Sequence, residues 1–189
     1  KTYGGENQEL GYSVQQTTDG GYIITGHTMS FGAGGQDVWL VKTDASGDTL
    51  WTKAIGGSAQ DEGHSVQQTT DGGYIILGET NSIGAGRQDF YLVKTDADGN
   101  EMWSKTFGRA YYADSEIHYS ADSGKDVQQT DDVGYIIVGA TYRELYDESD
   151  AYLIYYKPVW RVDGQNGTDP VDCNGGDSWP TAFKTIGKA

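Results

Sequence analysis

The sequence predicts an all-β chain made of three repeats of one four-stranded antiparallel unit. Three observations carry the prediction. The stretch Gly11-Tyr-Ser-Val-Gln-Gln-Thr-Thr-Asp-Gly-Gly-Tyr-Ile-Ile-Thr-Gly-His-Thr28 returns at Gly63–Thr80 with 15 of 18 positions unchanged, and again, more altered, at Gly124–Thr141; such a period marks a stacked-repeat architecture. Apolar segments are short, and none sustains a 3.6-residue period. Glycine is abundant (28) and proline scarce (3), which suits many tight turns.

The elements follow in order. Lys1-Thr-Tyr-Gly-Gly5 matches the unit endings Lys53-Ala-Ile-Gly-Gly57, Lys105-Thr-Phe-Gly-Arg109 and Lys184-Thr-Ile-Gly-Lys188, so there are four tails for three opening motifs. Residues 1–5 therefore read as an extra outer strand, and 6–57, 58–109 and 110–189 as the repeats of a single domain. In the first repeat, Ser13–Thr17 is a strand ending in the turn Asp19-Gly20-Gly21, where glycine takes positive φ without penalty. Tyr22–Thr25 is the second strand, and residues 29–36 form a glycine-bearing loop. Asp37–Lys42 is the third, with Val38 and Leu40 on one face and Trp39 and Val41 on the other, so both faces are apolar. A turn at Asp44–Asp48 leads to the last strand, Thr49–Ile55. The second repeat follows 52 residues on without a gap (Gly11 to Gly63) and the third 61 on (Gly63 to Gly124). The third repeat carries insertions at about 109–123 and 160–180.

Four short strands per unit of this length, apolar on both faces, define the blade of a β-propeller, which must be sandwiched between neighbours. Asp-Gly-Gly-Tyr-Ile-Ile, the Phe/Ile-Gly-Ala-Gly loop, Asp-x-Trp/Tyr-Leu-Val-Lys-Thr-Asp and Trp-x-Lys-x-Ile/Phe-Gly resemble the repeats of secreted and cell-surface β-propeller proteins of bacteria and archaea. The resemblance covers nearly the whole chain outside the insertions. It implies an extracellular or cell-surface propeller module, and it carries no catalytic residue. Propellers close with about four to eight blades, so three blades are expected to be completed as a ring or stack by other chains or by a longer parent. Lys1, Thr2, Tyr3, Gly4 and Gly5 are the expected assembly strand, able to add to a neighbouring sheet edge. The start at Lys1 reads as a processed chain or a fragment.

Net charge is −15 and the isoelectric point near 4.3. That sign makes nucleic acid and anionic lipid poor partners. No apolar run approaches the ~20 residues that cross a bilayer as a helix, so no membrane insertion is expected. The single cysteine, Cys173, has no intrachain partner and is open to a disulfide with a second chain.

Candidate sites are few. Asp96, Asp98 and Asn100 place oxygen side chains at alternating positions, a weak calcium pattern that a plain hairpin turn also explains. Asp37, Asp89 and Asp150 precede the third strands and read as backbone acceptors rather than as a charged ring. Tyr111, Tyr112, Tyr119, Tyr142 and Tyr146 are candidates for stacking on glycans or packing on a neighbouring subunit. Asn166 begins an N-glycosylation sequon. His27, His64 and His118 fall in different repeat slots, with no zinc-like spacing. No cofactor is expected beyond that calcium possibility, and no nucleophile elbow or marked carboxylate pair points to an enzyme. The expected function is a non-enzymatic, self-associating structural module. A glycan- or protein-binding propeller is the alternative, and a hydrolase trails both.

Overall fold

A computed structural model describes residues 1–84, 87–108, 110–113, 116–143 and 148–158, with backbone alone at 110–113, 116, 117, 143 and 148. Among these residues there is no helix. Strands β1 (Glu9–Gln16), β2 (Tyr22–Thr28), β3 (Asp37–Thr43) and β4 (Thr49–Ile55) form one antiparallel meander. A second is built from β5 (Asp61–Gln68), β6 (Tyr74–Thr80), β7 (Asp89–Thr95) and β8 (Glu101–Phe107). In the first insertion, β9 (Ala110–Ala113) and β10 (Glu116–Tyr119) pair as a separate hairpin. The third sheet contains β11 (Ala121–Gln129), β12 (Tyr135–Arg143) and β13 (Glu148–Tyr156). The second insertion, Tyr146, Asn166, Cys173 and the last tail lie outside the described residues.

Sequence and structure differ at several boundaries. The first strand starts at Glu9 rather than Ser13, and the second runs on to Thr28, because β1 and β2 continue pairing beyond the motif, from Gly11–Gly26 to Glu9–Thr28. Residues 1–5, expected as a strand, form none. A strand needs a hydrogen-bonded backbone neighbour, and none of the described strands pairs with them.

The core consists of two repeated contacts. Ile23, Val38, Leu40 and Ile55 of the first sheet pack on Val66, Tyr74, Ile76, Tyr91 and Val93 of the second, with Trp51 at the margin. The equivalent residues of the second sheet, Ile75, Phe90, Leu92, Trp103 and Phe107, pack on Val127, Tyr135, Ile137 and Ile154 of the third, with Tyr152 beside them. One face of the repeat thus meets the opposite face of the next copy, twice. The middle sheet is covered on both sides: Asp89–Thr95 is buried along its whole length. Burying a side chain such as Leu92 or Phe90 stabilises by about 1.5–3 kcal/mol.

Polar residues of the repeat hold turns and sheets in register. Lys42 and Lys94, nearly fully buried on the third strands, reach back to the Asp-Gly-Gly turn. Lys42 Nζ donates to Asp19 Oδ2 (2.9 Å) and the Thr43 carbonyl (2.9 Å), and Lys94 Nζ donates to Asp71 Oδ1 (3.1 Å) and the Thr95 carbonyl (2.7 Å). The Thr17 hydroxyl, the Lys42 ammonium and the Gly21 N–H hold the Asp19 carboxyl well below its ordinary range. The Gln-Gln pair joins sheets: Gln15 Oε1 accepts from the Gln68 N–H (2.6 Å), and Gln67 Oε1 from the Gln129 N–H (2.6 Å).

Candidate functional site

The first strand of each of the three larger sheets contains a β-bulge at the same place. Pairing shifts between Gly11 and Ser13, between Gly63 and Ser65, and between Gly124 and Asp126. Tyr12, His64 and Lys125 are the extra residues, and a bulge re-aims the side chain it carries. β1, β5 and β11 lie beside one another, so these bulges bring side chains of different sheets together. The Tyr12 and His64 rings meet edge-on with centroids 5.4 Å apart.

Around them lies a polar cluster made from the slots that differ between repeats. His27 (β2), Glu62 and His64 (β5) and Glu79 (β6) are all buried or half-buried. His64 Nε2 lies 3.5 Å from Glu62 Oε2, and His64 Nδ1 lies 3.9 Å from Glu79 Oε2. His27 Nδ1 is 3.6 Å from the same Glu62 oxygen and 3.1 Å from the Tyr12 hydroxyl. Gln88 Nε2 donates to Glu79 Oε1, and Gln36 Nε2 contacts His27 Nε2 at 3.1 Å. Burial and the nearby Glu62 and Glu79 carboxylates push the Tyr12 phenol up to about 12, so it stays protonated and can donate. One potential ligand atom from each of Glu62, His64 and Glu79 lies within 4.8 Å of the others.

Along the sequence the histidines fall in different slots, and no spacing joins them to an acid. The signal the sequence lacked was the bulge, which brings non-equivalent slots to one place; the Glu62-Gly-His64 adjacency was the only trace along the chain.

The other candidates remain apart from this cluster. Asp96 Oδ1 accepts from the Asp98 and Asn100 N–H groups (2.9 and 2.8 Å), Oδ2 accepts from Asn100 Nδ2 (2.9 Å), and Asn100 Oδ1 accepts from Lys53 Nζ (2.9 Å). The first three bonds close the hairpin turn, and the last ties it to the preceding sheet. Asp37 and Asp89 are 1% exposed and Asp150 is half-buried. Asp37 Oδ2 accepts from the Ala33 N–H (3.0 Å) in the loop before it. Tyr119 and Tyr142 are exposed (41% and 39%), while Tyr111 and Tyr112 lie in β9.

Residues 1–7 have a definite seat. Lys1 Nζ contacts Asp48 Oδ1, the Tyr3 hydroxyl donates to the Gly47 carbonyl (2.9 Å), and the Asn7 N–H donates to Ser30 Oγ (2.8 Å). One repeat later, Lys53 Nζ reaches Asn100 and the Ala59 N–H donates to Ser82 Oγ (2.9 Å). Lys1–Asn7 thus lies on the first sheet as the end of β4 and its tail lie on the second.

The fold and contacts define an all-β repeat protein of face-to-face antiparallel sheets. The chain matches no protein-family model, and no curated protein matches it.

Proposed function

We propose that the chain is a non-enzymatic structural module of the propeller type, whose sheets act as blades and which associates head to tail with further copies of itself. One observation carries this reading: the two outer sheet faces are the unused halves of a contact the chain already makes twice. On the third sheet, Leu153 (42% exposed) occupies the slot of Leu40 and Leu92, both fully buried between sheets. On the first sheet, Val14 (63% exposed) occupies the slot of the buried Val66 and Val127. A second copy docking the face around Val14 onto the face around Leu153 would repeat the internal packing. Such a heterologous contact gives a ring if its rotation closes and a filament if it does not. Lys1–Gly5, seated like an outer strand yet without a strand beside it, supports strand addition at the same joint. The resemblance to surface propeller repeats and the acidic composition favour an extracellular setting.

Light scattering coupled to size exclusion tests the proposal. Mass above 20.5 kDa, rising with concentration, is expected, and Leu153→Arg should return it to the monomer while leaving the far-ultraviolet spectrum unchanged. A folded wild-type chain that stays monomeric at ~100 µM would refute it, since a weaker contact leaves most exposed apolar surface uncovered.

A further inference from the structure

We infer that Glu62, His64 and Glu79 form a binding site for one divalent transition-metal ion of the zinc class. His64 Nδ1 lies 2.7 Å from the Gly124 carbonyl oxygen. A carbonyl can only accept, so Nδ1 carries a proton, and Nε2 is the nitrogen left to face a metal. Nε2 lies 3.5 Å from Glu62 Oε2. An imidazole whose far N–H is fixed by a carbonyl has the tautomer and orientation of a metal ligand.

The carboxylates are prepared in the same way. Glu79 Oε1 accepts from the Gln88 amide, and its Oε2 lies beside the His64 ring, 3.9 Å from Nδ1. Glu62 Oε2 faces both His64 and His27, and Tyr12 backs His27 through its hydroxyl. Each of the three residues therefore has a neighbour fixing its orientation. Bonds of about 2.0–2.2 Å to zinc place neighbouring ligand atoms roughly 3–4 Å apart. One potential ligand atom from each residue lies within 4.8 Å of the others, and turning the Glu79 carboxylate from Nδ1 toward Nε2 would bring the set to that spacing.

Charge points the same way. Among the described residues, the ion-pair partners of Glu62 and Glu79 are histidines alone. Two half-buried carboxylates with no lysine or arginine among these partners make a place where a divalent cation would be favoured. The donor set selects the metal: an imidazole nitrogen with two carboxylates suits zinc, cobalt or nickel, whereas calcium takes oxygen ligands in larger number. The remaining coordination positions would be filled by water. Because Gly124 belongs to the third sheet and Glu62, His64 and Glu79 to the second, the bound ion would tighten the joint between them.

The test uses the full chain, freed of metal by chelator and titrated calorimetrically with zinc chloride. One zinc per chain is expected, with calcium chloride giving no comparable heat. At free zinc about a hundredfold above Kd, the thermal midpoint should rise by about 5–10 °C. Glu79→Gln and His64→Tyr should each weaken binding at least tenfold; tyrosine already occupies the equivalent bulge at Tyr12, so the second variant keeps a side chain that the repeat accepts. Gln88→Ala, which frees Glu79 without removing a ligand, should weaken it about 10–100-fold. Cobalt should give a visible d–d absorption in the wild type that both ligand variants lose. Absence of zinc binding, or binding undiminished in both ligand variants with folding intact, would overturn the inference.

Discussion

Replacing Val133 by glycine should stabilise the protein. In the first two repeats the middle residue of the turn is Gly20 (φ 86°) or Gly72 (φ 87°), and in the third it is Val133 at φ 65°. Valine is β-branched, and the left-handed region costs such a residue roughly 1–2 kcal/mol relative to glycine. The native turn requires it: the Val133 N–H donates to the Thr130 carbonyl (3.0 Å), and the Thr130 N–H to the Gly134 carbonyl (2.9 Å), as in the two glycine-bearing turns. Glycine returns part of the gain, about 0.5–1 kcal/mol, through its larger unfolded-state freedom. Val133 is 59% exposed, so little apolar burial is lost. The net is about 0.5–1 kcal/mol, or an increase of roughly 1–4 °C in thermal midpoint for a chain of this size. The reverse substitution supplies the control. A Cβ at Gly72 would meet nothing within 4 Å, so Gly72→Val should cost about 1 kcal/mol or more through backbone conformation rather than collision. Urea and thermal unfolding of both variants measure the pair. If Gly72→Val is as stable as wild type, or Val133→Gly is less stable, the strain argument fails.

Two further outcomes follow from buried charge. Lys94→Met keeps the apolar stem but removes the ammonium from Asp71 and the Thr95 carbonyl. It should cost about 1.5–3 kcal/mol in urea unfolding, below the figure for a fully buried pair because the Asp71 side chain is 56% exposed and water can re-solvate it. Burial raises the Asp71 pKa, but bonds from Thr69, Lys94 and Gly73 outweigh it and leave the pKa lowered. A lowered folded pKa gives stability that is complete above the ordinary carboxylate range and lost as pH falls below it, so the acid-side fall should be shallower in Lys94→Met; an identical pH profile would count against the pairing. Asp37 runs the other way. Burial, opposed by the Ala33 N–H and reinforced by Asp61, raises its pKa, and among the described residues its Oδ1 meets no hydrogen-bond partner. The folded state then binds more protons than the unfolded, and stability falls as pH rises from the ordinary carboxylate pKa through the raised one. Asp37→Asn keeps an acceptor for Ala33 and should stabilise at pH 7, with the advantage vanishing below about pH 4; a variant less stable than wild type at pH 7 would show that the charge is compensated.

Much of the fold could be read along the chain because the repeat writes each local rule more than once. Asp-Gly-Gly marked the turn through backbone conformation, and the alternation in Asp37–Lys42 marked a strand apolar on both faces. The turn-to-strand bridge from Lys42 to Asp19 was not readable, since 23 positions separate the pair and a lysine at a strand end ordinarily points to water. The Gln-Gln pair was equally silent: its bonds cross from one sheet to the next, between Gln15 and Gln68. The bulges were hidden more deeply. Gly-Tyr-Ser and Gly-His-Ser continue the strand pattern on either side, and only pairing with β2 or β6 reveals one residue too many.

That hidden irregularity explains where the repeat is free to vary. Positions serving the sheet-to-sheet contact meet the same partner in the next copy, so Leu40 and Leu92 agree, while Lys42 and Lys94 agree because each holds the turn of its own sheet. The slots around the bulge accept different residues even where the partner recurs, since Gln36 meets His27 as Gln88 meets Glu79. Leu10, Glu62 and Ser123 share one slot, Tyr12, His64 and Lys125 another, and His27, Glu79 and Ala140 a third. Superposing three identical bulges would only line the joint with three copies of one side chain. Different residues in equivalent slots instead bring a phenol, imidazoles and carboxylates to one place, with Gln88 and the Gly124 carbonyl orienting them. A mixed donor set arises here because the backbone repeats while these side chains do not, and that contrast separates the cluster from the acidic turns, where Asp44 and Asp96 merely close their own hairpins.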